Sequence, residues 1–305
     1  MQGDQMMTNG LRPGVHCIAA TPFLPDESLD LASVGALMDY LIAGGCDGAL
    51  VLGVLGEADR LSDDERDQVL ATALERGGGK LQISVGVTHH STRVTKARAD
   101  AAQAAGAAAV MVSPPSGSSA GPALKEHFKQ IAADLTIPLI VQDHPTSSGV
   151  KMPVEFIASL YEFLPPGSVC KLEDPPTAVK MNKLRDAEPG YQIFGGLGGV
   201  SLLHELDAGS AGAMTGFAVV EGLVEIVSLH RNGDRSGARA AYERTLPLLV
   251  FEAQPGAGVA LRKEILRRRG AIAHATVRQP APTPDAFALN LLDDLLRSYA
   301  TDSVV

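Results

Sequence analysis

Residues 137–174 read IPLIVQDHPTSSGVKMPVEFIASLYEFLPPGSVCKLED. Leu139-Ile140-Val141 is an unbroken apolar run, as in a parallel strand covered by helices on both faces. The polar group Gln142-Asp143-His144 follows at once. Pro153 suits the first position of the helical pattern at 154–161, where its missing N–H costs nothing. Residues 168–173 form the next β-rich run. Strand, helix and strand thus follow one another as a single βα unit.

The unit recurs along the chain. β-rich runs fall at 15–20, 48–53, 81–87, 107–113, 137–143, 168–173, 191–195 and 212–215. Leu31, Val34, Met38 and Leu41 share one helical face that ends at Gly44-Gly45. Ser62-Asp63-Asp64-Glu65 reads as a capping box. An Ala-rich helix over 97–105 stops at Gly106. Eight evenly spaced units predict an α/β fold, a (β/α)8 TIM barrel with right-handed crossovers, over a doubly wound sheet. Only helical patterns follow the eighth run: 221–231, 236–252, 259–269 and 284–299. The expected division is a catalytic barrel at 13–232 and a C-terminal helical segment, 233–305, packed on it.

Composition narrows the function. The 305 residues carry a net charge of −9, no Trp and five Tyr. Such a chain is poorly suited to nucleic acid or an anionic membrane surface and offers few aromatic platforms for bases. It has no apolar run long enough to span a bilayer. Residues 1–10 lack the apolar core of a signal peptide. Cys17, Cys46 and Cys170 are odd in number and far apart, which points to a reducing cytoplasm rather than a disulfide framework or zinc cage. The expectation is a cytoplasmic protein acting on a small molecule.

Barrel active sites lie at the C-terminal ends of the strands. Strand two ends in Gly53-Val54-Leu55-Gly56-Glu57, whose glycines allow backbone N–H groups to approach a carboxylate, or simply form a turn into a helix. Strand five ends in Gln142-Asp143-His144-Pro145-Thr146-Ser147-Ser148, read as a polar site or as a solvated cap. Strand six carries Lys171 in Val169-Cys170-Lys171-Leu172-Glu173-Asp174. Pointing inward, Lys171 is either a desolvated nucleophile suited to imine formation or the partner of Glu57 or Glu173 in a structural ion pair. Cys170 then faces the helix layer, buried and inert. Lys180 and Lys183 fall on a helix and read as solvated. Gly195-Gly196-Leu197-Gly198-Gly199 after strand seven is not GxGxxG and has no ribose-binding acid, so no nicotinamide site is expected. Strand eight ends in Met214-Thr215-Gly216. His89-His90 are adjacent and point apart, which argues against a shared metal. The loop at 113–122 reads as a mobile lid or a plain surface loop.

In order, Thr21-Pro22-Phe23, Gly53-x-x-Gly56-Glu57, Pro145…Gly149 and Lys171 resemble the dihydrodipicolinate synthase / N-acetylneuraminate lyase family over about residues 13–265. That resemblance implies a class I lyase whose Lys171 forms a Schiff base with a 2-oxo acid, without a cofactor or metal. It also implies a homo-oligomer, a dimer or tetramer. The departures are specific. Val54 and Leu55 replace the family's two threonines. Gln142 stands for the catalytic tyrosine, Ser147 for a carboxylate-binding arginine, and Pro115-Ser116 for a strand-four tyrosine. None of Tyr40, Tyr161, Tyr191, Tyr242 and Tyr299 is placed to restore the proton relay.

Val141-Gln142-Asp143-x-Pro145, Thr88-His89-x-Ser91-Thr92, Asp63-Asp64-Glu65-Arg66 and the segment at 208–216 resemble the family's 2-keto-3-deoxy-sugar-acid dehydratases, of the L-2-keto-3-deoxyarabonate type. Within this reading the ligand carboxylate rests on the N–H groups of Leu55 and Gly56, in the turn from Gly53 through Val54. Ser147, Gly195, Gly196 and Thr215 complete the substrate site. Asp143, His144, Glu57 and Glu173 are the candidate proton carriers, and Gln142 orients. Dehydration and aldol cleavage both remain open, as does a pyruvate-dependent aldolase of the synthase kind. Two further readings stand: a lyase holding Mg²⁺ on Glu57, Asp143, Glu173 and Asp174, and a sugar-acid binding protein without catalysis.

Overall fold

The computed structural model describes residues 10–254 and 256–302. The polar stretch at 1–9 lies outside the described residues. Eight strands pair in parallel and close in sequence order, β1 (Gly14–Ile18), β2 (Gly48–Val51), β3 (Gln82–Gly86), β4 (Ala109–Val112), β5 (Leu139–Asp143), β6 (Val169–Leu172), β7 (Gln192–Gly195) and β8 (Gly212–Thr215), with β8 bonded back to β1. The (β/α)8 barrel is as expected.

The strands end sooner than their apolar runs for local reasons. Leu52 has φ +59, so β2 stops at Val51. Pro138 has no N–H to give a ladder, so β5 starts at Leu139. Alternation sorts the side chains. Ile18, Leu50, Met111, Ile140, Val169, Phe194 and Met214 fill the barrel, while Cys17, Val51, Val141 and Cys170 pack outward under the helices.

The helix ring consists of α1 (Leu31–Ala43), α2 (Asp63–Gly77), α3 (Thr92–Ala105), α4 (Pro122–Ala132), the short α5 (Pro145–Ser148), α6 (Val154–Leu160), α7 (Thr177–Ala187), α8 (Leu202–Asp207) and α9 (Val220–Arg231). Pro153 sits just ahead of α6, at its N-cap. The Ser62–Glu65 capping box is present, with both reciprocal bonds made. Ser62→Ala removes one of them and is expected to cost about 1 kcal/mol, read as a lower denaturant midpoint at unchanged slope.

Three further helices follow: α10 (Arg235–Glu252) along α9, α11 (Gly258–Arg268), and α12 (Ala286–Asp302) on α10. Among the described residues no helix is long and apolar enough to cross a membrane. Cys17, Cys46 and Cys170 are all buried and free.

Candidate active site

Lys171 is the third residue of β6. Val169, two residues earlier, lies in the barrel core, so alternation turns Lys171 inward too. Gln142 is its lateral partner on β5. Glu173 follows the end of β6 with the same orientation. Its Oε2 lies 3.2 Å from Lys171 Nζ and accepts a 2.8 Å hydrogen bond from Gln142 Nε2. Its Oε1 accepts from the Leu197 N–H at 3.2 Å. All three side chains are buried. Burial would raise the Glu173 pKa, but Lys171, His144, Gln142 and the Leu197 N–H together outweigh it. The carboxyl stays below its ordinary value and therefore ionised.

The glycines after β7 are explained by what lies against them. A Cβ on Gly196 would stand 2.4 Å from both Cγ and Oε1 of Glu173. Gly196 thus leaves the space in which that carboxylate reaches Lys171. Gly195 faces the other way, toward α8, where a Cβ would meet Glu205 Oε2 at 1.8 Å. Gly195 serves packing rather than substrate, which corrects its expected role. Thr215 is corrected likewise, for it alternates outward from Met214 and lies near Gly199.

The strand-two segment forms a 3-10 turn, Val54–Gly56. The Gly56 N–H is already bonded to the Gly53 carbonyl at 3.0 Å, and Thr21 Oγ1 donates to the Gly56 carbonyl at 2.6 Å. Gly56 therefore cannot offer its N–H to a carboxylate as expected. Val54 and Leu55 occupy the first positions of the turn, whose N–H groups have no acceptor within it. The Leu55 side chain rests on the barrel core, and Val54 is exposed.

Glu57 does not face Lys171. Its Oε1 is 2.5 Å from Lys263 Nζ on α11, and its Oε2 accepts from Arg60 at 2.9 Å and from the Arg278 N–H at 3.0 Å. Both oxygens are occupied, which removes Glu57 from the candidate proton carriers. Asp143 is removed as well. The residue after Gln142, it turns outward and meets Lys180 Nζ at 2.6 Å, with Asp174 on the same ammonium at 2.9 Å. Burial pushes Asp143 up to about 6, although Lys180 pulls the other way. Lys180, expected to be solvated, is the largely buried centre of this cluster.

The four acids of the metal reading are thus divided among three cations: Glu57 with Lys263, Asp143 and Asp174 with Lys180, and Glu173 with Lys171. Among the described residues no three His, Cys, Asp or Glu side chains converge on a metal position. The neighbouring histidines His89 and His90 instead line a cavity of about 610 Å³ at the barrel mouth. Gly53, Val54, Gln142 and Ser147 line it too, with Thr88, Ser113 and Ser116. Arg66 and Arg98 reach it, but their guanidinium groups bond the Ala58, Gly86 and Thr88 carbonyls and Asp63. His144 stands beside the cavity with Nδ1 2.8 Å from Ser147 Oγ, and burial lowers its pKa, which favours the neutral ring. Three tyrosines are engaged elsewhere: Tyr40, Tyr161 and Tyr242 donate to the carbonyls of Ala218, Gly190 and Val200.

Lys171, Glu173, Gln142 and Gly196 therefore come together, and Ser147, His144 and the strand-two turn flank them. Sequence reading missed Lys180 and Lys263. Lys180 follows Asp174 by six residues, a spacing that could have suggested the pair. Lys263 lies 206 residues from Glu57 and had no such signal.

Known proteins share the fold and the sequence pattern over most of the chain. The sequence model of the Dihydrodipicolinate synthetase family matches residues 13–297. An L-2-keto-3-deoxyarabonate dehydratase from Azospirillum brasilense is 33% identical over 92% of this chain and 94% of its own. A 4-hydroxy-tetrahydrodipicolinate synthase from Acidothermus cellulolyticus is 29% identical over 87% and 86%. The crystal structure of dihydrodipicolinate synthase from Rhodopseudomonas palustris superposes with a TM-score of 0.89 at 31% identity, covering 95% of this chain and 99% of that one. With barrel and sequence match in agreement, this chain belongs to the dihydrodipicolinate synthetase family of lyases.

Proposed function

We propose that the protein is a class I dehydratase that forms an imine between Lys171 and a 2-keto-3-deoxy sugar acid and expels one water from C3 and C4. The observation that carries this reading is the Lys171–Glu173 pair, 3.2 Å apart inside the barrel. The substrate carboxylate sits on the Val54 and Leu55 N–H groups. Lys171 releases an ammonium proton to water and attacks C2. The carbonyl oxygen takes one proton from the nitrogen and one from water and leaves as water, and an iminium remains, which draws electrons and acidifies the C3 proton.

Glu173 then takes that proton. It is ionised, and a carboxylate that touches Nζ also reaches a carbon two bonds away. As the C3–H electrons move toward C4, the C4 hydroxyl departs with a proton returned by Glu173. Gln142 holds the Glu173 carboxylate in place throughout. A second water hydrolyses the imine and frees Lys171.

Dehydration is favoured over the synthase reaction by the mouth. Ser147 provides no cation for a second carboxylate, and the hydroxyl and imidazole groups of Thr88, His89, Ser113 and Ser116 suit neutral sugar hydroxyls. The resemblance to the Azospirillum brasilense dehydratase points the same way. A homo-oligomer of two or four copies accompanies this reading.

Borohydride reduction during turnover of a 2-keto-3-deoxy pentonate, read by mass spectrometry, tests it. A Lys171 adduct lighter by one water is expected. A pyruvate-sized adduct with released aldehyde would replace dehydration with aldol cleavage.

A further inference from the structure

We infer that Lys263 is a positioning residue for the turn that receives the substrate carboxylate, so that α11 takes part in substrate binding. This rests on reading the Val54–Gly56 turn as the carboxylate seat. Glu57, which closes that turn, has φ 52 and ψ 36, the left-handed region. A residue with a side chain holds that conformation where its surroundings enforce it. Here the enforcement is visible. Lys263 is wholly buried, and its Nζ donates to Glu57 Oε1 at 2.5 Å and to the Thr276 carbonyl at 2.8 Å. Arg60 and the Arg278 N–H occupy Oε2. Lys263 and Arg278 also lie over the Phe23 ring, 4.3 and 4.5 Å from its centre.

The preceding residue braces the other side. Arg262 is paired with the buried Glu252, whose Oε2 accepts from the Ala218 N–H after β8. A Cβ on Gly216 would lie 2.9 Å from Arg262 Nη1 and 2.6 Å from Leu55 Cδ1. Consecutive residues of one helix therefore fix both the Glu57 end of the turn and the place where Leu55 lies. Removing the Lys263 charge releases Glu57 from the left-handed state and tilts the Val54 and Leu55 N–H groups off the carboxylate. Lys171 and Glu173, on strand six, keep their geometry.

The test compares wild type, Lys263→Met and Glu57→Gln as intact proteins, with two kinds of ligand. Lactate carries a carboxylate and no ketone, so its binding by calorimetry reports the seat without imine chemistry. Borohydride trapping on Lys171 by pyruvate or hydroxyacetone separates a carbonyl with a carboxylate from one without. Both variants are expected to weaken lactate and pyruvate by about tenfold or more, the loss of a charge-assisted contact. Hydroxyacetone trapping is expected to stay as in wild type.

Unchanged lactate and pyruvate affinities would overturn the inference. Equal losses for pyruvate and hydroxyacetone would overturn it too, because they would mark a general packing defect. If wild type traps neither ketone while the variants still lose lactate, the imine reading fails and the positioning role of Lys263 stands. Glu57→Gln conserves shape and keeps the test open should Lys263→Met not fold.

Discussion

Lys171→Ala is expected to lower dehydration of a 2-keto-3-deoxy sugar acid on the order of 10⁴-fold or more, because it deletes the group on which every later step depends. It is also expected to abolish all borohydride adducts, with pyruvate and sugar acid alike. The buried environment sharpens the prediction. In the variant Glu173 keeps its bonds to Gln142 and the Leu197 N–H but loses the ammonium at 3.2 Å. The counter-charge is gone, so burial dominates and the Glu173 pKa should rise. Stability near neutral pH should fall modestly, since the carboxyl can take up a proton rather than stay charged and unpaired. Kinetics with mass spectrometry check the first part. An adduct surviving on another lysine, with activity retained, would remove Lys171 from the chemistry.

Much of this was legible before the structure. The apolar runs of two-faced parallel strands follow from burial on both sides, and eight of them in even succession leave few topologies. The inward aim of Lys171 follows from its two-residue step from Val169, and Glu173 extends the same step. The strand ends were less legible. A single backbone angle at Leu52 and a missing N–H at Pro138 cut strands short where hydrophobicity continues.

Two of the three candidate carboxylates were misplaced for a related reason. Asp143 and Glu57 sit at strand ends, where barrel sites gather, yet each is paired with a cation contributed by a helix. For Asp143 parity was available: one residue after Gln142, it must turn outward if Gln142 points in. For Glu57 alternation gave no guide, because the chain has already left strand geometry at Leu52. Its partners, Lys263 and Arg278, come from the far end of the sequence and are set by how α11 packs over the mouth. Contacts of that span carry no local signature. The glycines show the same division. Gly196 can be tied to Glu173 and Gly195 to Glu205 only once the neighbouring strands are in register.

Glu173→Gln separates the two halves of the proposed reaction. Proton transfer by a positioned group contributes roughly 10²–10⁴-fold, so kcat for dehydration should fall by that factor. Imine formation should survive. Lys171 keeps its place on strand six and still reaches C2. Pyruvate trapping at neutral pH should then stay close to the wild-type rate, while turnover of the sugar acid falls by the full factor. The pH dependence has a definite sign. The Glu173 pKa lies below its ordinary value, so the base remains ionised down through the weakly acidic range. The acid limb that it causes should appear only as pH falls through that depressed value, and Glu173→Gln should lack it. Stability linked to the pair follows the same direction, present above the ordinary carboxyl range and lost on further acidification. Stopped-flow trapping and a kcat–pH profile measure both effects. Equal losses in trapping and turnover would assign Glu173 to holding Lys171 in place, and leave His144 as the remaining group to carry the proton.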